Sequence, residues 1–457
     1  MSRTSLTLPA GSLTIPSEQP DEMAPEDQVR LRRARAALWL GAFMPIIYTV
    51  GKGVNDVGGV GPLELLRGGG GLALYALVFM IRPPKVRSLR NGIAEAGLIF
   101  FVVIAALSCF WSVDAKTTLL KLVPLVVTYL CLAKLATLYG SVQETVCAVV
   151  TVAHMILIGT LVQLVIWPDR AYSTDTVGED PRIHSLLPAI ASNLFGLVAA
   201  IGIAGVCLTI GPRWTARAPW NVVLVCVYFV LLLGTRSRVV TAVALIIMLV
   251  CLFRVMHRSQ NANIIGWFAT AGIVATSWWI TTRDDVWGLV VDFVVRGQDA
   301  QGLTTLTGRT VVWERVLPLI REDQWWGLGY YSGHRIGLPL RDSLFRNYSN
   351  LDNTWLESVV GVGIIGTTGL VVFLAFGVVR SIRATARMGH YRLLSTLLVI
   401  GVAWLTLINP TVQANTSTLV FFALIVFSTR RGDAEHLATW SLHESAPAKS
   451  TDLRREQ

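Results

Sequence analysis

The sequence predicts an all-α polytopic membrane helix bundle, and three observations predict it. Hydrophobic residues fill 53% of the 457 positions and charged residues only 15%, against roughly 25% charged in a soluble globular chain; mean hydropathy is +0.56. Apolar runs long enough to cross a bilayer, which takes about 20 residues, recur between residues 36 and 427. Arginine and lysine concentrate in alternate short connections, the pattern of cytoplasmic loops. The formal charge of +10 follows from those loops and calls for no nucleic acid.

Taken in order, the apolar runs give about twelve spans. The first six are residues 36–54, 63–81, 93–111, 118–138, 142–166 and 187–210. The others are 220–234, 239–253, 264–281, 354–378, 393–408 and 412–427. The second carries Arg67 and the glycines Gly68 to Gly71, tolerable because glycine permits close packing of membrane helices. Basic clusters precede the first span (Arg30, Arg32, Arg33, Arg35) and follow the second, sixth, eighth, tenth and twelfth. An even number of spans puts all of them, and both termini, in the cytoplasm. Residues 167–186, 235–238 and 282–353 then lie outside. The resulting organisation is a disordered cytoplasmic tail (1–35), nine spans (36–281), an extracytoplasmic loop (282–353), three spans (354–429) and a second cytoplasmic tail (430–457).

Composition also narrows the chemistry. The polar, Pro/Ser-rich first 30 residues lack the charged, apolar and cleavage regions of a signal peptide. All six cysteines fall inside apolar runs, so neither a disulfide framework nor a CxxC metal site is expected. No cytoplasmic connection is long enough to fold alone, and there is no GxxxxGK[ST] phosphate loop.

The loop 282–353 stands out. It holds eight arginines, nine acidic residues and no lysine, on the side of the membrane where basic residues are scarce. A guanidinium fork matches phosphate and carboxylate, so the loop suits a phosphorylated, membrane-borne ligand; arginines paired with the loop's own acids are the plainer reading. Within it, Arg309 opens an amphipathic helix reaching about Arg321, with Trp313, Val316, Leu317 and Ile320 as its apolar stripe and Pro318 as a possible kink. A cation in the first turn opposes the helix dipole, whereas arginine plus free N–H groups suits a bound phosphate. Trp325, Trp326, Tyr330 and Tyr331 surround Gly327-Leu328-Gly329, an aromatic platform for sugar rings or for the membrane interface. Asp352, just before the tenth span, fits a general base or a helix N-cap. Outside the loop, Arg236 and Arg238 flank the boundary of the seventh and eighth spans, where arginines either snorkel or meet an anion.

These pieces, in this order, resemble the superfamily of O-antigen ligases and Wzy-type polysaccharide polymerases. The resemblance begins at Ala106-Leu107-Ser108-Cys109-Phe110-Trp111-Ser112-Val113-Asp114 and continues at Arg182-Ile183-His184-Ser185 and Ser192-Asn193-Leu194-Phe195-Gly196. Thr235-Arg236 and Ser237-Arg238 both fit its Ser-Arg motif. Then come Gly308-Arg309 with Trp313, Gly327-Leu328-Gly329, and Asp352 to Glu357 followed by Gly363-Ile364-Ile365-Gly366. It covers residues 98–427.

The resemblance implies a metal-independent, cofactor-free, inverting glycosyltransferase of the bacterial cytoplasmic membrane, with an architecture similar to GT-C-type enzymes. The implied partners are a polyprenyl-diphosphate-linked oligosaccharide donor, a glycan or lipid-glycan acceptor, and membrane lipid. It implies diphosphate binding by Arg309, Arg236, Arg238 and Arg182, and sugar or acceptor binding by Trp313, Trp325, Trp326 and Tyr330. Where ligases of the family carry a histidine base, this sequence has Asp352, which tilts the reading from ligase towards polymerase; His334 and His184 are the histidines that can substitute. The rival class is a lipid-linked oligosaccharide flippase or other secondary transporter. Transporters show internal repeats and midplane charges, and here no repeat is found and the charges gather at one face.

Reporter fusions at Gln260 and Gly302 are expected to read opposite sides of the membrane. The same side for both would break the assigned topology.

Overall fold

A computed structural model of the chain describes residues 25–44, 62–80, 92–139, 142–173, 181–186, 189–190, 192–209, 218–237, most of 240–249, 309–321, 323–341, 351 and 353–387. Its helices are α1 (Pro25–Phe43), α2 (Pro62–Phe79), α3 (Ile93–Leu107, continued by a 3₁₀ turn Ser108–Phe110), α4 (Ala115–Leu138), α5 (Val142–Ile166), α6 (Pro168–Ala171), α7 (Ser192–Thr209) and α8 (Ala218–Gly234). Beyond residue 300 come α9 (Arg309–Ile320), a π-helical turn Gly333–Gly337, α10 (Leu338–Arg341) and α11 (Thr354–Arg387). Between α6 and α7 lie β1 (Tyr172–Ser173), β2 (Arg182–Ile183), β3 (Ser185–Leu186) and β4 (Ala189–Ile190). They form two antiparallel pairs, with Tyr172 opposite Ile183 and Ser185 opposite Ile190.

The protein is mostly helical. Ile93–Phe110, Ala115–Leu138, Cys147–Ile166 and Thr354–Arg380 are four helical segments long and apolar enough to cross a membrane, with shorter apolar stretches at Gly69–Phe79, Phe195–Val206 and Trp220–Gly234. The expected spans 264–281, 393–408 and 412–427 lie outside the described residues, and 239–253 is described only in fragments. Two boundaries differ from expectation. Residues 25–35, expected within a disordered tail, are helical: α1 starts at Pro25 with Glu26 and Asp27 in its first turn, a helix-opening proline followed by charges that suit the dipole. The run 187–210 becomes helical only at Ser192, since Ala189–Ile190 pair as a strand.

α7 packs antiparallel against α5 and α8. From Phe195 to Val206 every residue of α7 is buried, as expected for a helix apolar on all sides. An added Cβ on Gly196 would meet Leu232 and the Thr235 hydroxyl, and one on Gly202 would meet Tyr228, so α7 presses its small residues against α8. On another side Gly205 faces Val150 and Gly202 faces Leu157 of α5. A second close crossing joins α3 to α11, where a Cβ on Gly97 would lie 2.7 Å from the Gly369 carbonyl oxygen and one on Gly369 would lie 2.7 Å from that of Gly97. Small residues let membrane helices approach to backbone contact.

Tertiary contacts sort the helix ends into two groups. At one end Arg380 pairs with the buried Glu95 at 2.7 Å, while a Glu95 oxygen also accepts from the Gly92 N–H at 3.0 Å. There too Arg35 donates to the Leu138 carbonyl at 2.7 Å and to Glu144 at 3.2 Å, and its guanidinium lies 4.5 Å from the centre of the Tyr139 ring. Arginine thus satisfies carbonyls that end α4. The opposite end gathers residues 108–114, the strands, the end of α8 and the segment 323–341. This grouping is the one that alternate crossing of the chain requires.

Candidate functional site

The site is organised by a break in α11. Gly363 has φ 69° and ψ −177° inside that helix, a left-handed conformation that costs glycine little and any other residue more. The break releases carbonyls and N–H groups that helix geometry would have paired, and buried groups of this kind must find partners. The segment 324–329 supplies them. The N–H groups of Leu328 and Gly329 donate to the carbonyls of Val360 (2.7 Å) and Gly361 (2.9 Å). In return the N–H groups of Ile364 and Ile365 donate to the carbonyls of Gln324 (2.8 Å) and Trp325 (3.3 Å). Gly327, with φ 70°, lies so close to Gly361 that an added Cβ would sit 2.7 Å from its carbonyl oxygen. The glycines of Gly327-Leu328-Gly329 are therefore structural.

The turn after α3 docks on the same segment. Trp111 donates its indole N–H to the Trp326 carbonyl at 3.1 Å, and the two rings meet edge to face at 5.4 Å. The Val113 N–H reaches the Leu328 carbonyl at 3.1 Å, and the Tyr330 N–H reaches the Ser108 hydroxyl at 3.0 Å. The hydroxyls of Ser112, Thr118 and Ser332 close a triangle with sides of 2.6, 2.7 and 2.8 Å. Three hydroxyls can each donate once and accept once around such a ring, satisfying all of them. Asp114 caps α4, accepting from the N–H groups of Lys116 (3.1 Å) and Thr117 (3.2 Å). The Thr117 hydroxyl hydrogen bond, foremost, holds the Asp114 carboxyl below its ordinary range.

The start of α11 settles which residue caps it. Asn353 Oδ1 accepts from the N–H groups of Trp355 (2.9 Å) and Leu356 (3.2 Å), the N-cap geometry. Asp352 is not the cap; its own position lies outside the described residues. Leu351 beside it is held on both backbone groups: its N–H donates to the buried Glu357 at 3.1 Å, and its carbonyl accepts from the Trp313 indole at 2.9 Å. Trp313 thus ties α9 to α11 as part of the small apolar core formed by Val312, Val316, Ile320, Leu328 and Leu351. The expected stripe of α9 shifts, because Leu317 is 53% exposed and Val312 takes its place. Pro318 falls in the last turn, where few helical bonds remain to lose.

The other predicted residues divide. Arg182 is buried on β2, and its neighbour Ile183 presses its side chain onto Gly234. This brings Arg182 beside the Thr235-Arg236-Ser237 corner. There Arg236 adopts φ 52°, and the Thr235 hydroxyl both donates to the Leu232 carbonyl (2.7 Å) and accepts from the Ser237 N–H (3.3 Å). Arg238 lies outside the described residues, as does the Arg309 side chain, although the backbone of Arg309 opens α9. Trp325 and Trp326 keep more than half of their surface open. Tyr330 does not: it is 1% exposed, edge-on to Phe101 at 6.4 Å. Burial, with Tyr331 and Glu357 nearby, pushes its phenol well above the ordinary range. The expectation that Tyr330 binds sugar is corrected on that ground, since it offers no face to a ligand. His334 is 3% exposed and meets the Tyr331 ring edge-on at 5.2 Å.

Residues 222–371 match the family model Wzy_C, O-antigen ligase. The match begins in α8, takes in the Arg236 corner and α9, and ends beyond the break in α11. That segment is similar to the O-antigen ligase and Wzy-type family. The match supports a membrane enzyme of the O-antigen ligase and polymerase kind, a family that implies glycosyltransferase-like activity and lipid-linked glycan substrates. No curated protein matches it.

Sequence reading missed three parts of this site: the hydroxyl triangle, the Asn353 cap, and the cations around Tyr331. Only the second had a local signal, since Asn is as good an N-cap as Asp. Tyr331 itself has φ 61°, a region where a bulky residue is a steric outlier.

Gly363→Ala is expected to destabilise the protein in detergent, visible as a lowered thermal unfolding midpoint. Backbone strain alone costs on the order of 1–3 kcal/mol, and the new methyl would collide with the Trp325 carbonyl. An unchanged midpoint would show that the break does not depend on glycine.

Proposed function

We propose that this protein transfers or polymerises glycan on the outer face of the bacterial cytoplasmic membrane, drawing on a polyprenyl-diphosphate-linked donor, with polymerisation favoured over ligation. The observation that carries the reading is the family match across 222–371, which spans Arg236, Arg238, Arg309 and the start of α11. The capping of α11 by Asn353 supports it further, because it leaves Asp352 without a capping duty. About twelve spans, cytoplasmic termini and an outer loop at 282–353 belong to the same proposal, as does the GT-C-like architecture.

The chemistry is a single displacement with inversion. An acceptor hydroxyl attacks the anomeric carbon of the lipid-linked sugar, forming the new glycosidic bond as the bond to the diphosphate oxygen breaks. Asp352 takes the hydroxyl proton. Negative charge grows on the departing polyprenyl diphosphate, and fixed cations aimed at it lower the barrier. Arg309 at the N-terminus of α9, Arg182, Arg236 and Arg238 fill that role, since the helix end adds its own N–H groups. The donor brings its own activation, so the reaction needs neither ATP nor nucleotide-sugar outside the cytoplasm. Trp325 and Trp326, with their open faces, stack on glycan rings. His334, buried, is the second choice of base.

The test is glycan synthesis by purified protein from lipid-linked repeat units without a transmembrane gradient. A ladder or a transferred glycan is expected; lipid translocation with no new glycosidic bond would instead establish the transporter. In that assay Arg309→Lys keeps the charge and loses the bidentate fork, and turnover is expected to fall by at least about tenfold with normal expression. Parent-level turnover would reduce Arg309 to a surface charge. Asp352→Asn removes the base and is expected to lower turnover by about a hundredfold or more, with donor binding unchanged. Unaltered turnover there would move the role to His334.

A further inference from the structure

Leu351 joins two helices that the proposed reaction needs together. Trp313 lies on α9 one helical turn after Arg309, and its indole N–H donates to the Leu351 carbonyl at 2.9 Å. Glu357 lies in the first turn of α11, and its carboxylate accepts from the Leu351 N–H at 3.1 Å. Both backbone groups of one loop residue are thus taken by side chains of two different helices. The Leu351 side chain is buried as well, in one apolar cluster with Val312, Val316 and Val360.

The residue entering α11 is tethered too. Asn353 Oδ1 caps the helix on Trp355 and Leu356, and the Asn353 carbonyl accepts from the Glu357 N–H at 3.0 Å. Asp352, the base of the proposed reaction, stands between these two tethered residues in the chain. Stability alone is a poor reason for the arrangement. Glu357 is fully buried, and taking a carboxylate out of water is expensive, whereas water satisfies a loop N–H at little cost. What the carboxylate adds is geometry, because a charge-assisted bond is short and directed. The indole N–H likewise adds a directed bond to a ring whose packing a phenyl group would supply.

We propose that Trp313 and Glu357 are positioning residues: through Leu351 they set the separation between α9, which begins at Arg309, and the start of α11, which follows Asp352. The inference rests on the proposed reaction, in which Arg309 holds the departing diphosphate and Asp352 takes the acceptor proton. Their relative placement matters because a misplacement of about 1 Å can cost about a hundredfold in rate. Trp313 differs in this from the open-faced Trp325 and Trp326: it is only part-exposed, and its N–H is engaged.

The test pairs steady-state kinetics with amide hydrogen exchange on the full-length protein in detergent. Trp313→Phe keeps an aromatic ring in the apolar core and removes the donor. It is expected to lower kcat by about tenfold, to leave the KM for lipid-linked donor and for acceptor within about twofold, and to speed exchange of the Leu351 amide. Parent kcat, or unchanged Leu351 exchange, overturns the proposal; a raised acceptor KM at parent kcat does so by making Trp313 a sugar-binding residue. Glu357→Ala is expected to release the Leu351 amide and lower kcat to a similar degree. Glu357→Gln keeps an acceptor oxygen and is expected to hold turnover within about threefold of the parent. Loss of turnover in Glu357→Gln with the Leu351 amide still protected would give Glu357 a part in the chemistry and overturn its positioning role. Where Glu357→Ala does not fold, Trp313→Phe and Glu357→Gln decide the matter by the same outcomes. Failure of the glycan-transfer reading is distinct, since it shows as a parent protein that makes no new glycosidic bond. Failure of the positioning role alone shows as fast Leu351 exchange at parent kcat.

Discussion

A broken helix can exist inside a low-dielectric bundle only if its freed backbone groups are paired. The rest of this structure depends on that constraint, because the partners of the α11 break come from the separate segment 324–329 that precedes α11 in the chain. Residues 324–329 exchange four backbone hydrogen bonds with 360–365. Leaving those groups unmade would cost several kcal/mol each in a hydrocarbon setting. The exchange anchors the loop rigidly to a membrane helix, and everything attached to the loop inherits that rigidity. Trp111, Val113 and the Ser112 hydroxyl then join the turn after α3 to it.

The second consequence is electrostatic. Rigid anchoring lets cations be held close together where flexible loops would let them separate. Lys121 from α4 and Arg335 from the π-helical turn share one ring. Arg182 is carried by β2 to the corner where Arg236 turns the chain. Cations held close together inside a packed bundle act at reduced screening, which suits the phosphate-bearing donor proposed above. At the other end of the bundle the logic reverses: Arg35 and Arg380 are absorbed by helix carbonyls and by Glu144 and Glu95, and serve packing. The family matched by residues 222–371 implies lipid-linked glycan substrates, and an end rich in cations suits them.

Much of this was legible without coordinates. Hydropathy marked α3, α4, α5, α8 and the start of α11 closely, because a span must be apolar over its whole length whatever it packs against. The amphipathic start of α9 at Arg309 followed from periodicity, and so did its role in covering an apolar core. The Trp111 and Gly327 motifs were visible as patterns, but their meaning was not. The partners of the Trp111 turn lie more than two hundred positions away along the chain, those of the Gly327 motif lie across the start of α11, and no local rule pairs Ser112 with Ser332 or Leu328 with Val360. Tyr330 shows the limit most clearly: adjacent to exposed tryptophans in sequence, it turns inward because Gly329 reverses the backbone before it.

By itself, the sequence determined the membrane class, the alternation of helix ends and the presence of residue types suited to phosphate, since these rest on composition and short-range periodicity. Tertiary structure decided which of those residues share a site. It assigned the cap of α11 to Asn353 and made Trp313 a tie between helices. It also brought Lys121 out of an ordinary span to join Arg335. Such outcomes depend on where a helix breaks and which backbone groups it leaves to be paired, and that is a property of packing between segments far apart in the chain.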